Sequence, residues 1–176
     1  MHTKAVFRTA QALAESGFHV LRFNFRGVGT STGSYDDGVG EMDDARAAIT
    51  WLRERFPSLP LLVGGFSFGS RIALRIGVED DGAAALLGLG LAPDLFDYEF
   101  LRGVGRPVLL VQGEEDRFGS GERVARMVDE LDGPITLVRV AGSDHFFHHH
   151  FEELQEAVRE YFTRGPGAAP FDNTSD

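Results

Sequence analysis

The chain has 176 residues, of which 43% are hydrophobic and 25% charged, and its 27 acidic against 17 basic side chains give a net charge of -10. An acidic surface argues against nucleic acid or anionic membranes as partners, because both select a basic face. The chain has no cysteine, which excludes disulfides, thiolate catalysis and cysteine-based zinc sites. It also lacks a membrane-length apolar run and a signal-peptide core, so we expect a soluble, cytoplasmic protein.

Strand-like runs alternate with helical periodicity along most of the chain, which is typical of a parallel sheet covered by helices on both faces. Five strands are predicted, at Val20–Phe25, Leu61–Phe66, Ala83–Leu91, Val108–Val111 and Ile135–Val140. Helical apolar stripes are predicted over residues 6–14, 45–52, 70–78, 124–131 and 151–162. We therefore expect one α/β domain over residues 1–162. Residues 163–176 are rich in Gly, Pro, Ala and polar residues without periodicity, and are predicted to form a disordered tail.

A glycine-rich segment, residues 24–31, follows the first predicted strand and partly resembles a dinucleotide-binding fingerprint. A Gly-x-Gly-x-x-Gly motif that starts at Gly27 would need its third glycine at the position of Thr32. The motif is therefore incomplete. We interpret the segment as a tight structural turn and expect no nucleotide cofactor.

The second predicted strand runs into Gly65-Phe66-Ser67-Phe68-Gly69, which is followed by a helical stripe. A serine on a sharp strand-to-helix turn is the arrangement of a nucleophile elbow, in which small neighbours let the strand and the helix approach. The Gly-x-Ser-x-Gly pattern is weak alone, and it recurs around Ser31 in turn-like surroundings. The strand before Ser67 and the helix after it favour Ser67 as the nucleophile. The alternative is a serine that only caps the helix.

Polar side chains follow the ends of three predicted strands, in the order Ser67, Asp116 and His145. This is the chain order of the α/β-hydrolase arrangement. His145 would take the proton of the Ser67 hydroxyl, and Asp116 would orient the imidazole. The backbone N–H of Phe68 would stabilise the developing oxyanion. Alternatives stay open for two of these residues. His145 could be a surface-loop histidine, and the carboxylate could be Glu114, Glu115 or Asp144 instead of Asp116. For Asp144 itself, we expect that it stabilises its own loop.

Two clusters near these residues have both a functional and a structural interpretation. His148, His149 and His150 stand beside His145, but adjacent histidines at a helix start diverge around its axis, so we expect a solvated helix start and no metal site. The aromatic residues of the nearby loops are candidates for an acyl pocket or for ordinary core packing. They are Phe96, Tyr98, Phe100, Phe118, Phe146 and Phe147.

Four segments together resemble the α/β-hydrolase superfamily, in particular its small lid-less bacterial members akin to dienelactone hydrolases and carboxylesterases. They are residues 26–31, the elbow, residues 113–116 and Asp144-His145-Phe146-Phe147. The resemblance runs from Met1 to about Phe162. It implies Ser67, Asp116 and His145 as the triad, Phe68 as one oxyanion donor, and an open site without a cap domain. The expected activity is serine-dependent hydrolysis of a small ester or related acyl substrate, without a metal. The alternative is a catalytically silent fragment or a ligand-binding scaffold.

The chain departs from this family at its start. In such hydrolases, strands precede the first helix. One of these strands lies in the sheet between the strands that correspond to Val20–Phe25 and Leu61–Phe66. The loop that follows this strand supplies a second oxyanion N–H. This chain begins directly at the first helix. We therefore expect an N-terminally truncated or mis-started hydrolase, with a gap of roughly 10 Å between those two strands.

Overall fold

A parallel sheet of four strands, in the order β1-β2-β3-β4, forms the centre of the computed structural model, which describes residues 3–172. The strands are β1 (Leu61–Phe66), β2 (Ala83–Leu89), β3 (Val108–Gly113) and β4 (Ile135–Val140). Because neighbouring strands pair in parallel, their carboxyl ends and the loops that follow them lie at one edge of the sheet.

Helices cover both faces of this sheet, as the alternating pattern predicts. They are α1 (Lys4–Glu15), α2 (Val39–Arg55), α3 (Phe68–Glu79), α4 (Gly121–Asp129) and α5 (Phe151–Thr163), with 3-10 turns at Glu99–Leu101 and Ala169–Phe171. One core cluster joins α2, α3 and α4 to one face of the sheet, and a second joins α1 and α5 to the other. The helices and the sheet thus form three layers.

Strand β3 shows why the sheet forms. All six of its residues are buried, and Leu109 and Leu110 belong to core clusters on opposite faces. A strand that is covered on both faces needs a nearly continuous apolar run, because successive side chains point to opposite sides. Within the part of the chain that the structure describes, no helix is both long and apolar enough to cross a membrane.

The first predicted strand is not a strand in the structure, so the sheet has four strands where the sequence predicts five. Val20–Phe25 pairs with no neighbour, and β1 pairs only with β2 within residues 3–172. A largely apolar cavity of about 580 Å³ is lined by both segments. The two segments are thus unpaired and border one cavity, as the predicted gap requires. An apolar run becomes a strand only when a neighbouring backbone accepts and donates its hydrogen bonds.

The segment after α5 also differs from the predicted disordered tail as far as Asp172. A 3-10 turn at Ala169–Phe171 follows the helix. The Phe171 ring lies 5.0 Å from the ring of Phe18 and 6.2 Å from that of Phe162. The Phe171 side chain therefore packs this glycine-rich segment against the core. Residues 173–176 of the predicted tail lie outside the described residues.

Candidate active site

Ser67 lies at the junction of β1 and α3 in a backbone conformation that residues other than glycine rarely adopt. Its φ is 54° and its ψ is -125°, and its N–H donates a 2.9 Å hydrogen bond to the carbonyl of Leu89. A non-glycine residue at positive φ carries strain that the surrounding structure must hold in place. Here the strand before Ser67 and the helix after it do so, as the strand-to-helix context predicts.

The two glycines of the elbow are not equivalent. A Cβ atom on Gly65 would lie 2.1 Å from the carbonyl oxygen of Gly69, which is far inside van der Waals contact. A Cβ atom on Gly69 would meet the Phe25 ring at 3.7 Å, an ordinary contact. The close approach of β1 and α3 therefore requires glycine only at Gly65.

The structure brings together the three polar residues that the strand ends predict. His145 Nε2 lies 3.0 Å from Ser67 Oγ, and His145 Nδ1 lies 2.7 Å from Asp116 Oδ2. The Asp116 side chain is fully buried, and that of His145 is 5% exposed. The two ring nitrogens thus link a buried carboxylate to the serine hydroxyl. This geometry suits proton transfer from the hydroxyl to Nε2.

Asp116 is held by two further donors. The N–H of Phe118 donates to its Oδ1 at 2.8 Å, and Gln112 Nε2 donates to its Oδ2 at 2.8 Å. Gln112 is fully buried, and its Oε1 accepts a 2.7 Å hydrogen bond from the N–H of Leu91. Gln112 is not among the residues that the sequence pattern predicts for the site. Its one signal is an amide side chain in the otherwise apolar run of β3.

Behind the elbow, one hydroxyl supports the backbone of Ser67 and a second bonds to the loop after β2. Ser70 Oγ donates a 2.6 Å hydrogen bond to the carbonyl of Ser67. The buried hydroxyl of Tyr98 accepts a 3.3 Å hydrogen bond from the N–H of Ala92. Burial raises the pKa of Tyr98, against the opposing hydrogen bonds of Ser70 and Ala92, so this hydroxyl stays neutral at physiological pH. The Ser70 hydroxyl therefore anchors the first turn of α3, and the Tyr98 hydroxyl anchors the loop after β2.

The N-terminus of α3 presents the Phe68 amide next to Ser67. The first amides of an α-helix have no acceptor within the helix, and the helix dipole adds a partial positive charge there. The structure thus places Phe68 where the sequence puts it, as the residue that begins the helix.

Aromatic side chains surround the imidazole of His145. The rings of Phe66, Phe118 and Phe146 have centroids 4.9, 4.7 and 5.0 Å from the His145 ring. A second aromatic group is centred on Phe68, the residue after Ser67, whose ring packs 5.5 Å from Tyr35 and 6.0 Å from Phe96. These two groups form an apolar wall beside the serine.

The predicted aromatic cluster therefore divides between site and core. Phe118, Phe146 and Phe96 lie at the wall just described. Tyr98 and Phe147 are 2% and 0% exposed and belong to the core clusters. Phe100 packs 5.9 Å from the Tyr98 ring.

The other acidic and histidine candidates have structural partners. Asp144 accepts hydrogen bonds from the N–H groups of Phe146 and His148, and its Oδ2 lies 2.7 Å from His148 Nδ1. Burial opposes the effect, but these hydrogen bonds hold the pKa of Asp144 below its ordinary value. Asp144 thus stabilises its own loop, as predicted. His150 Nδ1 lies 3.2 Å from Glu153 Oε1, so His148 and His150 contact different carboxylates.

The segment that contains the second Gly-x-Ser-x-Gly pattern is a turn. Ser31 Oγ donates to the carbonyl of Asn24, and Gly27 adopts a φ of 70° while its N–H bonds to Thr32. Arg26 ties this turn to α2 through a 2.8 Å contact with Asp44. The hydrogen bond from Arg26 is the main cause that lowers the pKa of Asp44.

Comparison with known families fits this architecture. Residues 1–160 match the family model described as an alpha/beta hydrolase domain. The chain belongs to the α/β-hydrolase family. This α/β-hydrolase chain is 34% identical over 170 residues to an uncharacterised protein of Rickettsia prowazekii, covering 92% of this chain and 71% of that protein.

Two solved structures of similar sequence share the fold. One is a serine hydrolase without a lid from Xanthomonas campestris, with a TM-score of 0.85 and 37% identity, covering 93% of this chain and 74% of that one. The other is an alpha-beta serine hydrolase homologue from Coxiella burnetii, with a TM-score of 0.84 and 34% identity, covering 91% of this chain and 76% of that one. The resemblance drawn from the motifs is therefore confirmed for the family and for the fold.

Proposed function

We propose that this α/β-hydrolase chain is a serine hydrolase that cleaves a small ester or related acyl substrate through an acyl-enzyme intermediate. The observation that carries the proposal is the continuous set of contacts from Asp116 through His145 to Ser67, at 2.7 and 3.0 Å. The lid-less serine hydrolase of Xanthomonas campestris, at 37% identity, supports the same class.

In this mechanism Ser67 Oγ attacks the substrate carbonyl while His145 Nε2 accepts the hydroxyl proton. The negative charge that develops on the carbonyl oxygen is stabilised by the N–H of Phe68 and by the N-terminal dipole of α3. His145 then returns the proton to the leaving alcohol, and the acyl group stays on Ser67. A water molecule, deprotonated by His145, releases the acid and restores the serine.

Asp116 keeps the imidazole in the required tautomer and stabilises the imidazolium as it forms. Its burial and its hydrogen bonds from Gln112 and Phe118 keep it in this role. The connection from β2 to β3 carries only a 3-10 turn among the described secondary structure. We therefore propose an open site that accepts small substrates from the solvent.

The cavity beside β1 favours a second candidate function, a chain that binds apolar ligands without turnover. A fluorophosphonate probe distinguishes the two, because it reacts only with an activated serine. We expect stoichiometric labelling of the wild-type chain, its loss in Ser67→Ala and its retention in Ser31→Ala, the matched variant of the second motif. Labelling that disappears in Ser31→Ala alone contradicts the proposal.

Turnover of a short-chain aryl ester tests the general base. His145→Ala is expected to lower kcat/KM by at least about 10³-fold, because members of such a triad depend on one another. EDTA should leave turnover unchanged, since the nucleophile is a side chain. Activity that EDTA abolishes and zinc restores would instead favour the histidine run.

A further inference from the structure

Arg71, one helical turn after Ser67 on α3, is a partly buried cation without an anionic partner. Its Nε is buried and makes no hydrogen bond, and among the ion pairs described for residues 3–172 none includes Arg71. Removing a charge from water without a partner is unfavourable by several kcal/mol, so such groups are generally paired. Arg71 is half-buried, and its Nε is a buried donor that no acceptor within residues 3–172 satisfies.

Arg75, one turn further along the same helix, shows the ordinary arrangement. Both arginines stack on aromatic rings of the loop after β2, Arg71 on Phe96 at 5.4 Å and Arg75 on Phe100 at 5.6 Å. Arg75 Nε also pairs with Glu79 at 3.0 Å. The two arginines thus share an aromatic contact, but only Arg75 has a carboxylate partner.

The Arg71 guanidinium lies near the edge of the Phe68 ring. Long side chains on a helix lean toward its N-terminus, here toward the turn that holds Phe68. A methyl group on Gly38 would be 3.5 Å from Arg71 Nη1 and 3.9 Å from Phe68 Cε2, so the cation and the ring edge both lie beside Gly38. The charge also acts on the hydroxyl of Tyr98, whose pKa it lowers against the larger effect of burial.

Two of the carboxylates that precede or begin α2, Glu41 and Asp36, are occupied elsewhere, and the exposed Asp37 forms no ion pair with Arg71 among those of residues 3–172. Glu41 is 1% exposed and accepts hydrogen bonds from the N–H groups of Gly38 and Asp36. Asp36 accepts a hydrogen bond from Gly40 and lies 3.9 Å from Arg26. Glu41 and Asp36 therefore do not neutralise Arg71.

We infer that Arg71 binds a carboxylate or phosphate group carried by the acyl part of the substrate. This inference rests on the proposed function, because it assigns one end of the substrate that would acylate Ser67. An acyl chain that begins at Ser67 and crosses the Phe68 ring would bring a terminal oxyanion to the guanidinium. A guanidinium matches the geometry of both kinds of oxyanion.

The net charge of -10 works against this preference at long range. Selection for an anionic substrate by this chain therefore has to come from a local contact. A variant that removes only the contact between Arg71 and the substrate anion therefore tests the inference.

The test compares three methyl esters that differ in one terminal group: methyl pentanoate, monomethyl glutarate and methyl 4-phosphonobutanoate. Proton release measured with a pH indicator gives kcat/KM for each. We expect the wild-type chain to prefer an anionic ester over methyl pentanoate by at least about tenfold. Preference for the glutarate identifies a carboxylate ligand, and preference for the phosphonate identifies a phosphate ligand.

Arg71→Met should reduce the ratio of anionic to neutral kcat/KM by about 10- to 100-fold. Arg75→Met, the matched control one turn away, should keep the wild-type ratio. A wild-type ratio near one, or a ratio that survives in Arg71→Met, overturns the inference.

A binding measurement separates this inference from the proposed function and does not need a folded Arg71 variant. Ser67→Ala labelled with 15N-arginine is titrated with monomethyl glutarate and with methyl 4-phosphonobutanoate, and the Nε–Hε resonance of Arg71 is followed by NMR. A saturable shift of this resonance supports the subsite even where fluorophosphonate fails to label Ser67, which would refute only the hydrolase. Labelled Ser67 together with an Arg71 resonance that neither ester shifts refutes only the subsite.

Discussion

Gln112 donates a 2.8 Å hydrogen bond to Asp116, and it does so from a position where its side chain is inaccessible to solvent. The same amide lies within hydrogen-bonding distance of the carbonyls of Leu91 and Gly119. The glutamine therefore joins the end of β3, the loop after β2 and the loop that holds the carboxylate. It positions Asp116 and does not itself contact the reacting atoms.

Replacing Gln112 by leucine should remove the hydrogen bonds that its amide makes to Asp116, to Leu91 and to Gly119. A buried polar group that loses its partner typically costs about 1–3 kcal/mol. We expect a clear drop in the free energy of unfolding, measured by urea denaturation, together with slower fluorophosphonate labelling. Gln155→Leu is the control, because Gln155 is an exposed glutamine bonded to the carbonyl of Arg8. Equal labelling rates in the two variants would show that Gln112 does not position Asp116.

The two elbow glycines should respond to alanine with opposite signs. Gly65→Ala places a methyl group 2.1 Å from the Gly69 carbonyl, so β1 and α3 must separate. We expect a loss of about 2 kcal/mol or more in unfolding free energy and loss of serine labelling.

Gly69→Ala puts its methyl group in ordinary contact with the Phe25 ring, in the first turn of α3, where alanine is the better helix former by up to about 1 kcal/mol. Thermal unfolding and labelling of the two variants measure the contrast. A Gly65→Ala chain as stable and reactive as Gly69→Ala would refute the steric requirement.

The pair of Arg26 and Asp44 should make stability depend on pH. The hydrogen bond from Arg26 holds the pKa of Asp44 below its ordinary value in the folded chain. A lowered folded-state pKa contributes stability above the unfolded value of about 3.9, and this contribution is lost as the pH falls through the folded-state pKa.

Asp44→Asn should therefore lower the Tm by about 2–4 °C at pH 7 and by progressively less as the pH falls below about 4. Asp43→Asn changes an exposed neighbour, 67% accessible and paired with Arg46, so its effect should be small at every pH. A Tm difference for Asp44→Asn that is constant from pH 7 to pH 3 would contradict the linkage.

The cavity between Val20–Phe25 and β1 should leave that edge of the sheet weakly protected. In a parallel ladder only part of the β1 backbone bonds to β2, and the remaining groups face the cavity. We expect β1 amides to exchange with deuterium at least about tenfold faster than those of β3, which is paired on both sides. An apolar dye that binds in the cavity should also fluoresce more strongly in the presence of the chain. Equal deuterium-exchange protection of β1 and β3 amides would contradict the expectation.

Four strands and the helices that cover them are predictable from the sequence because local signals are strong there. The run Val108–Val111 is wholly apolar, and such a run indicates a doubly covered strand without any knowledge of its neighbours. The prediction fails for Val20–Phe25, whose alternation is typical of a strand, because strand formation also depends on a neighbouring backbone.

By itself, the sequence determined the order of Ser67, Asp116 and His145 and their places after strand ends, because parallel strands bring such residues to one edge. Only the tertiary structure decided that His145 Nδ1 faces Asp116 rather than another carboxylate, that Gln112 supports Asp116, and that Arg71 lacks a partner. These facts depend on distances between residues far apart in the chain. Packing sets those distances, and no local pattern encodes them.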